Sequence, residues 1–95
     1  MNSAPWPANV RARYLTVGGA TVDVQDGSAT SLAKALCTGC AEEKTPFDYT
    51  GHYLDCGFSV AAAEAEAEDA AREDSARWAQ THAEQCRAMP RPDSP

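Results

Sequence analysis

Two pairs of residues in this 95-residue chain have the types and spacing of metal ligands. Cys37-Thr38-Gly39-Cys40 is a Cys-x2-Cys turn, a tight loop that aims two sulfurs at one centre. His82 and Cys86 lie four residues apart in a strongly helical run, a spacing that stacks both side chains on one face. Together they read Cys-x2-Cys-x41-His-x3-Cys: three thiolates and one imidazole, a donor set for tetrahedral Zn2+. Four protein ligands leave no corner for a substrate, so a zinc held this way is structural. Gly39 is expected to supply a positive φ within the turn.

A rival second pair competes with the first. His52 and Cys56 are also His-x3-Cys, with only eleven residues between Cys40 and His52, closer to the gap of a single zinc finger. Gly51 and Gly57 bracket that pair and leave barely one helical turn. On a strand the two residues would be spread by about 13 Å at 3.3 Å per residue. The ligand set Cys37, Cys40, His82 and Cys86 is therefore preferred, with His52 and Cys56 as the alternative pair. Buried free thiols, a disulfide or a redox Cys37/Cys40 pair are the readings without metal. A thioredoxin-like redox site would place its Cys-x2-Cys at the start of a helix, whereas this one precedes an irregular stretch containing Pro46.

The elements that must position these residues belong to a small domain short of core material. Aromatic residues make up 7% of the chain, and alanine supplies much of its 43% hydrophobic content. Domains of this size often depend on a metal or disulfide. Tyr14-Leu15-Thr16-Val17 and Ala20-Thr21-Val22-Asp23-Val24 are β-prone runs joined by Gly18-Gly19, which reads as a hairpin with a two-residue turn. Residues 29–36 fit a short helix or a third strand, and delivery of the chain into Cys37 favours the strand. Residues 41–57 read as an irregular excursion whose aromatics furnish core, with room for a short strand over residues 52–55. Ser59 is a good N-cap, and residues 60–88 contain helix formers without Gly or Pro until Pro90. A stripe of Val60, Ala63, Ala67, Ala71, Ser75, Trp78, His82, Cys86 and Met89 marks its inner face, with Trp78 placed to cover the metal.

The expected architecture is thus α+β: an N-terminal hairpin, the Cys-x2-Cys turn and one long C-terminal helix, stabilised by zinc. Residues 1–12 are expected to be a flexible arm carrying Trp6, residues 13–89 a single domain (hairpin 13–25, helix 60–88), and residues 90–95 a disordered tail.

The blocks Cys37-Thr38-Gly39-Cys40 and Ala76-Arg77-Trp78-Ala79-Gln80-Thr81-His82-Ala83-Glu84-Gln85-Cys86-Arg87-Ala88-Met89-Pro90 resemble those of small zinc-finger-like proteins of high-GC actinobacteria and their phages and mobile elements. The resemblance covers about 20 residues and favours His82 and Cys86 as ligands. It implies an accessory or regulatory role, and the long gap between the half-sites departs from DNA-reading fingers.

Function follows from charge and from what is missing. Fourteen acids against eight bases give a net charge of −6, which opposes a broad nucleic-acid surface. The nucleic-acid alternative would draw on Arg11, Arg13 and Lys34, or on Arg72, Arg77, Arg87 and Arg91. No Ser-His-Asp set, phosphate loop or pair of catalytic carboxylates stands out, so no enzyme is expected; a thiol redox protein using Cys37/Cys40 or Cys56 is the remote alternative. No apolar stretch approaches a membrane span, and no basic-then-apolar leader opens the sequence. The expectation is a cytoplasmic, non-enzymatic protein-interaction module whose acidic helix, residues 60–76, meets a protein partner.

Overall fold

The computed structural model describes residues 8–28 and 31–90. Four strands and two helices follow in chain order: β1 (Val10–Leu15), β2 (Thr21–Gln25), β3 (Lys34–Cys37), β4 (Glu43–Lys44), α1 (Thr50–Asp55) and α2 (Val60–Gln85). The strands form one antiparallel meander in the order β1-β2-β3-β4, and α2 lies across β2 and β3. The α+β class, the hairpin, the third strand and the long helix agree with the sequence expectation. The proposed arm and tail, Trp6 included, fall largely outside the described residues, although β1 already begins at Val10.

Period-two alternation decides what β2 and β3 bury. Val22 and Val24 face α2, and their partners across the ladder are Cys37 and Ala35. All four are at most 1% exposed and pack on Ala79 and Ala83 of the helix. Cys37 is thus the last core-facing position of β3, carried there by the strand's own alternation. Asp23 points to the other face, where Arg13 holds both its oxygens (3.0 and 3.2 Å) and the Thr21 hydroxyl donates to it at 2.9 Å.

The hairpin turn is one residue longer than the glycine pair suggests. Thr16 N–H donates to the Ala20 carbonyl and Gly19 N–H to the Thr16 carbonyl, so Val17, Gly18 and Gly19 form a three-residue loop. Gly19 adopts φ +90°, the left-handed residue that closes such a loop after a tight turn.

The helix starts at its N-cap, Ser59, whose hydroxyl accepts from Ala62 N–H at 3.2 Å. Over 26 residues, about 39 Å at 1.5 Å per residue, its buried positions are Ala63, Ala67, Ala71, Ser75, Ala79 and Ala83. This row repeats every fourth residue and contains only small side chains, which lets the helix backbone approach the sheet closely. Ser75 tests that closeness: it is fully buried and donates to the Ala33 carbonyl at 3.3 Å. The expected stripe needs correction at its ends and its lower half. Val60 and Met89 are 61% and 76% exposed, and Ala79 and Ala83 occupy the centre of the face. Trp78 and Cys86 instead flank the core cluster.

Residues 41–57 do not furnish the core. Phe47, Tyr49, Leu54 and nearby Phe58 are all exposed, and residues 50–55 form α1 where a short strand seemed to fit. The largest fully buried side chains are Val22, Val24, Cys37 and Ser75. Each buried alanine withdraws one methyl group from water, about 0.8 kcal/mol by the methylene value, so this core is thin.

One acid ties the far end of the helix to the sheet. Glu68 accepts from Gly27 N–H and Ala33 N–H, both at 2.8 Å, and so satisfies two donors that flank the entry into β3. Glu68→Ala leaves both donors without that acceptor and is expected to destabilise the fold by about 2–3 kcal/mol, read as a lowered midpoint in urea.

Candidate metal centre

The first two ligands come from the turn between β3 and β4. Cys37 N–H donates to the Glu42 carbonyl and Ala41 N–H to the Cys37 carbonyl, both at 2.9 Å, which folds residues 38–41 into a four-residue loop. The positive φ in this loop belongs to Ala41 (+66°), not to Gly39 as expected. Gly39 is required for space: a Cβ there would lie 2.7 Å from the Ala88 carbonyl oxygen and 3.0 Å from Ala20 Cβ. Cys37 is fully buried and Cys40 is exposed.

The second two ligands come from the end of α2. His82 lies in the last helical turn, and Cys86 is the C-cap, extended at ψ 118° with its N–H still bonded to the His82 carbonyl at 2.8 Å. Helix ends leave carbonyls without partners. Here the hairpin loop supplies donors, Val17 N–H to Ala83 O (3.0 Å) and Gly18 N–H to Cys86 O (3.1 Å). A side chain on Gly18 would collide with the carbonyls of Arg87 and Ala88, so the loop fits only as glycine. Residues 86–88 therefore run between the hairpin loop and the cysteine turn, and both grip them.

These constraints bring Cys37, Cys40, His82 and Cys86 together, with ligand atoms all within 4.8 Å of one another. Zinc bond lengths of 2.3 Å to sulfur and 2.0–2.1 Å to nitrogen give tetrahedral edges of about 3.8 Å (S to S) and about 3.6 Å (S to N). The observed Cys37 Sγ to Cys86 Sγ separation is 3.8 Å, and Cys40 Sγ to His82 Nε2 is 3.4 Å. The four residues thus have the donor types and the spacing to hold a metal ion. His52 and Cys56 stand apart from this cluster, both exposed on α1 and its cap, 3.9 Å from each other.

The imidazole is oriented from two sides. Its Nδ1 faces Glu42 Oε2 at 3.4 Å, leaving Nε2 for the cluster. A carboxylate behind a ligating histidine fixes its tautomer and raises its basicity. Trp78 stacks on the ring with centroids 4.5 Å apart and planes at 15°, and so braces the imidazole. Glu42 was not foreseen. Its signal was its place two residues after Cys40, at the end of the turn that faces the helix terminus.

Electrostatics within the cluster favour a cation. Burial pushes the Cys37 thiol up, but the N–H groups of Cys40 and Gly39 and the side chains of Cys40 and His82 outweigh it, bringing Cys37 down to about 7. Burial holds Cys40 above the ordinary thiol value; the Cys37 and Cys86 side chains add to this against the Glu42 N–H. One thiolate forms readily at neutral pH and the next resists. A divalent ion removes that resistance, because thiolates and not thiols are its ligands.

Two substitutions probe this geometry. Glu42→Ala is expected to keep the fold and weaken zinc affinity by about 10–100-fold, measured by competition with a chromophoric chelator. Ala41→Gly removes a left-handed alanine and is expected to raise stability by about 1 kcal/mol in a denaturant titration, with zinc stoichiometry unchanged.

No protein-family model, curated protein or solved structure matches the chain, so the meaning of the centre rests on its own chemistry.

Proposed function

We propose that the protein is a non-enzymatic interaction module whose fold is locked by one structural Zn2+ on Cys37, Cys40, His82 and Cys86. The observation that carries this reading is the gathering of three sulfurs and one nitrogen within 4.8 Å of one another, with the Cys37–Cys86 and Cys40–His82 separations close to the edges of a zinc tetrahedron. Such a centre offers no open coordination position, so its work is mechanical. It fastens the end of α2 to the β3–β4 turn and compensates for a core built from alanine and valine. Free thiols at a zinc site call for a reducing compartment, which is why we assign the protein to the cytoplasm. Among the described residues, no helix is long and apolar enough to cross a membrane.

The interaction role rests on surface left over once the fold is closed. Glu64, Glu66 and Glu73 of α2 are exposed and suit a protein partner with a cationic surface. Five cations named for the nucleic-acid alternative are already engaged: Arg11 with Asp26, Arg13 with Asp23, Lys34 with Glu43, Arg72 with Glu68 and Asp69, and Arg77 with Asp74. That pairing, with the net charge, favours protein over nucleic acid.

Elemental mass spectrometry and circular dichroism test the proposal together. About one zinc per chain should survive dialysis in the wild type and in His52→Ala, and be lost in His82→Ala. Chelation should collapse the helical signal, because binding energy here is folding energy. An unchanged spectrum in metal-free protein contradicts a structural role.

A further inference from the structure

We propose that His52 and Cys56 form half of a second metal site, completed by the same pair from a second copy of the chain. The two residues sit one helical turn apart on α1 and its cap, with Nε2 and Sγ separated by 3.9 Å. That is close to the edge of about 3.6 Å that one zinc imposes on a nitrogen and a sulfur. Both side chains are exposed. Among the described residues no third cysteine, histidine or carboxylate joins them, since Cys37, Cys40, His82 and Cys86 are the one group of three or more potential ligands. Two donors hold two corners of a tetrahedron. A two-fold axis through the ion duplicates them and fills all four as two sulfurs and two nitrogens, with two thiolates neutralising the Zn2+.

The surroundings of the pair fit an interface between copies. Phe47, Tyr49, His52, Tyr53 and Phe58 form a continuous chain of ring contacts, with centroid separations from 4.7 to 6.5 Å. Phe47 is 66% exposed, and Tyr49, Leu54 and Phe58 are near 40%. These few side chains fall well short of the roughly 20–30 residues a side, about 800 Å2 per partner, that a stable interface uses. Each copy also carries a charge of −6, and Asp48 and Asp55 lie within the patch segment. Apolar contact is therefore too small to pair the copies against their repulsion, and a shared divalent cation supplies what is missing. Assembly becomes dependent on zinc supply. This site shares no residue with the Cys37, Cys40, His82 and Cys86 centre, so the two readings stand or fall separately.

Zinc titration with sedimentation equilibrium, under a non-chelating reductant, separates the outcomes. The full chain should go from monomer to dimer as bound zinc rises from about 1.0 to about 1.5 per chain, one ion per centre plus one shared. His52→Ala and Cys56→Ser, both at exposed positions, should each stop at about 1.0 and remain monomeric with an unchanged helical spectrum. A monomer at about 1.0 or about 2.0 zinc per chain overturns the proposal, as does a dimer that both substitutions leave intact. A dimer that persists in chelator is not held by a shared ion and overturns it equally.

Discussion

The structure depends on the closeness of one helix to one sheet. Alanine and serine at every fourth position of α2 let its backbone settle onto Val22, Val24, Ala35 and Cys37. Larger residues would bury more surface but hold the helix away, and the end of α2 would no longer reach the β3–β4 turn. Close approach and a thin core are therefore the same property seen from two sides. What the side chains lack in volume is made up by polar ties, Glu68 at one end and the hairpin-loop donors at the other.

The Cys37, Cys40, His82 and Cys86 cluster stands where three backbone segments converge. The hairpin loop donates to the helix terminus, the helix terminus presents His82 and Cys86, and the cysteine turn receives residue 88 against Gly39. Each of these contacts is a backbone hydrogen bond or a close approach that a missing Cβ allows. At its two short separations the site lies within about 0.2 Å of the tetrahedral edges.

What was legible in the sequence was what is local. A Cys-x2-Cys turn and a His-x3-Cys helix end are short-range geometries, so the four residues that the fold brings together could be named without it. The helix was equally plain, because capping, composition and Pro90 agreed. What escaped depended on contacts between distant segments. Glu68 looked like one acid among several until Gly27 and Ala33 were found beside it. Glu42 acquired its role only from the position of His82. The aromatics of residues 47–58 were assigned to the core on hydrophobicity, yet a helix seated this closely has no room for rings beneath it. Gly51 and Gly57 disguised α1, and the positive φ expected at Gly39 went to Ala41 because Gly39 was needed for clearance.

The central claim is that three sulfurs and one nitrogen surround a single ion at the junction of α2 and the β3–β4 turn. X-ray absorption at the zinc edge, on protein loaded with one equivalent, tests it most directly. The account predicts a first shell of three sulfurs at about 2.3 Å and one nitrogen at about 2.0–2.1 Å, with no water ligand. A shell dominated by oxygen and nitrogen, or one with fewer than three sulfurs, would contradict it.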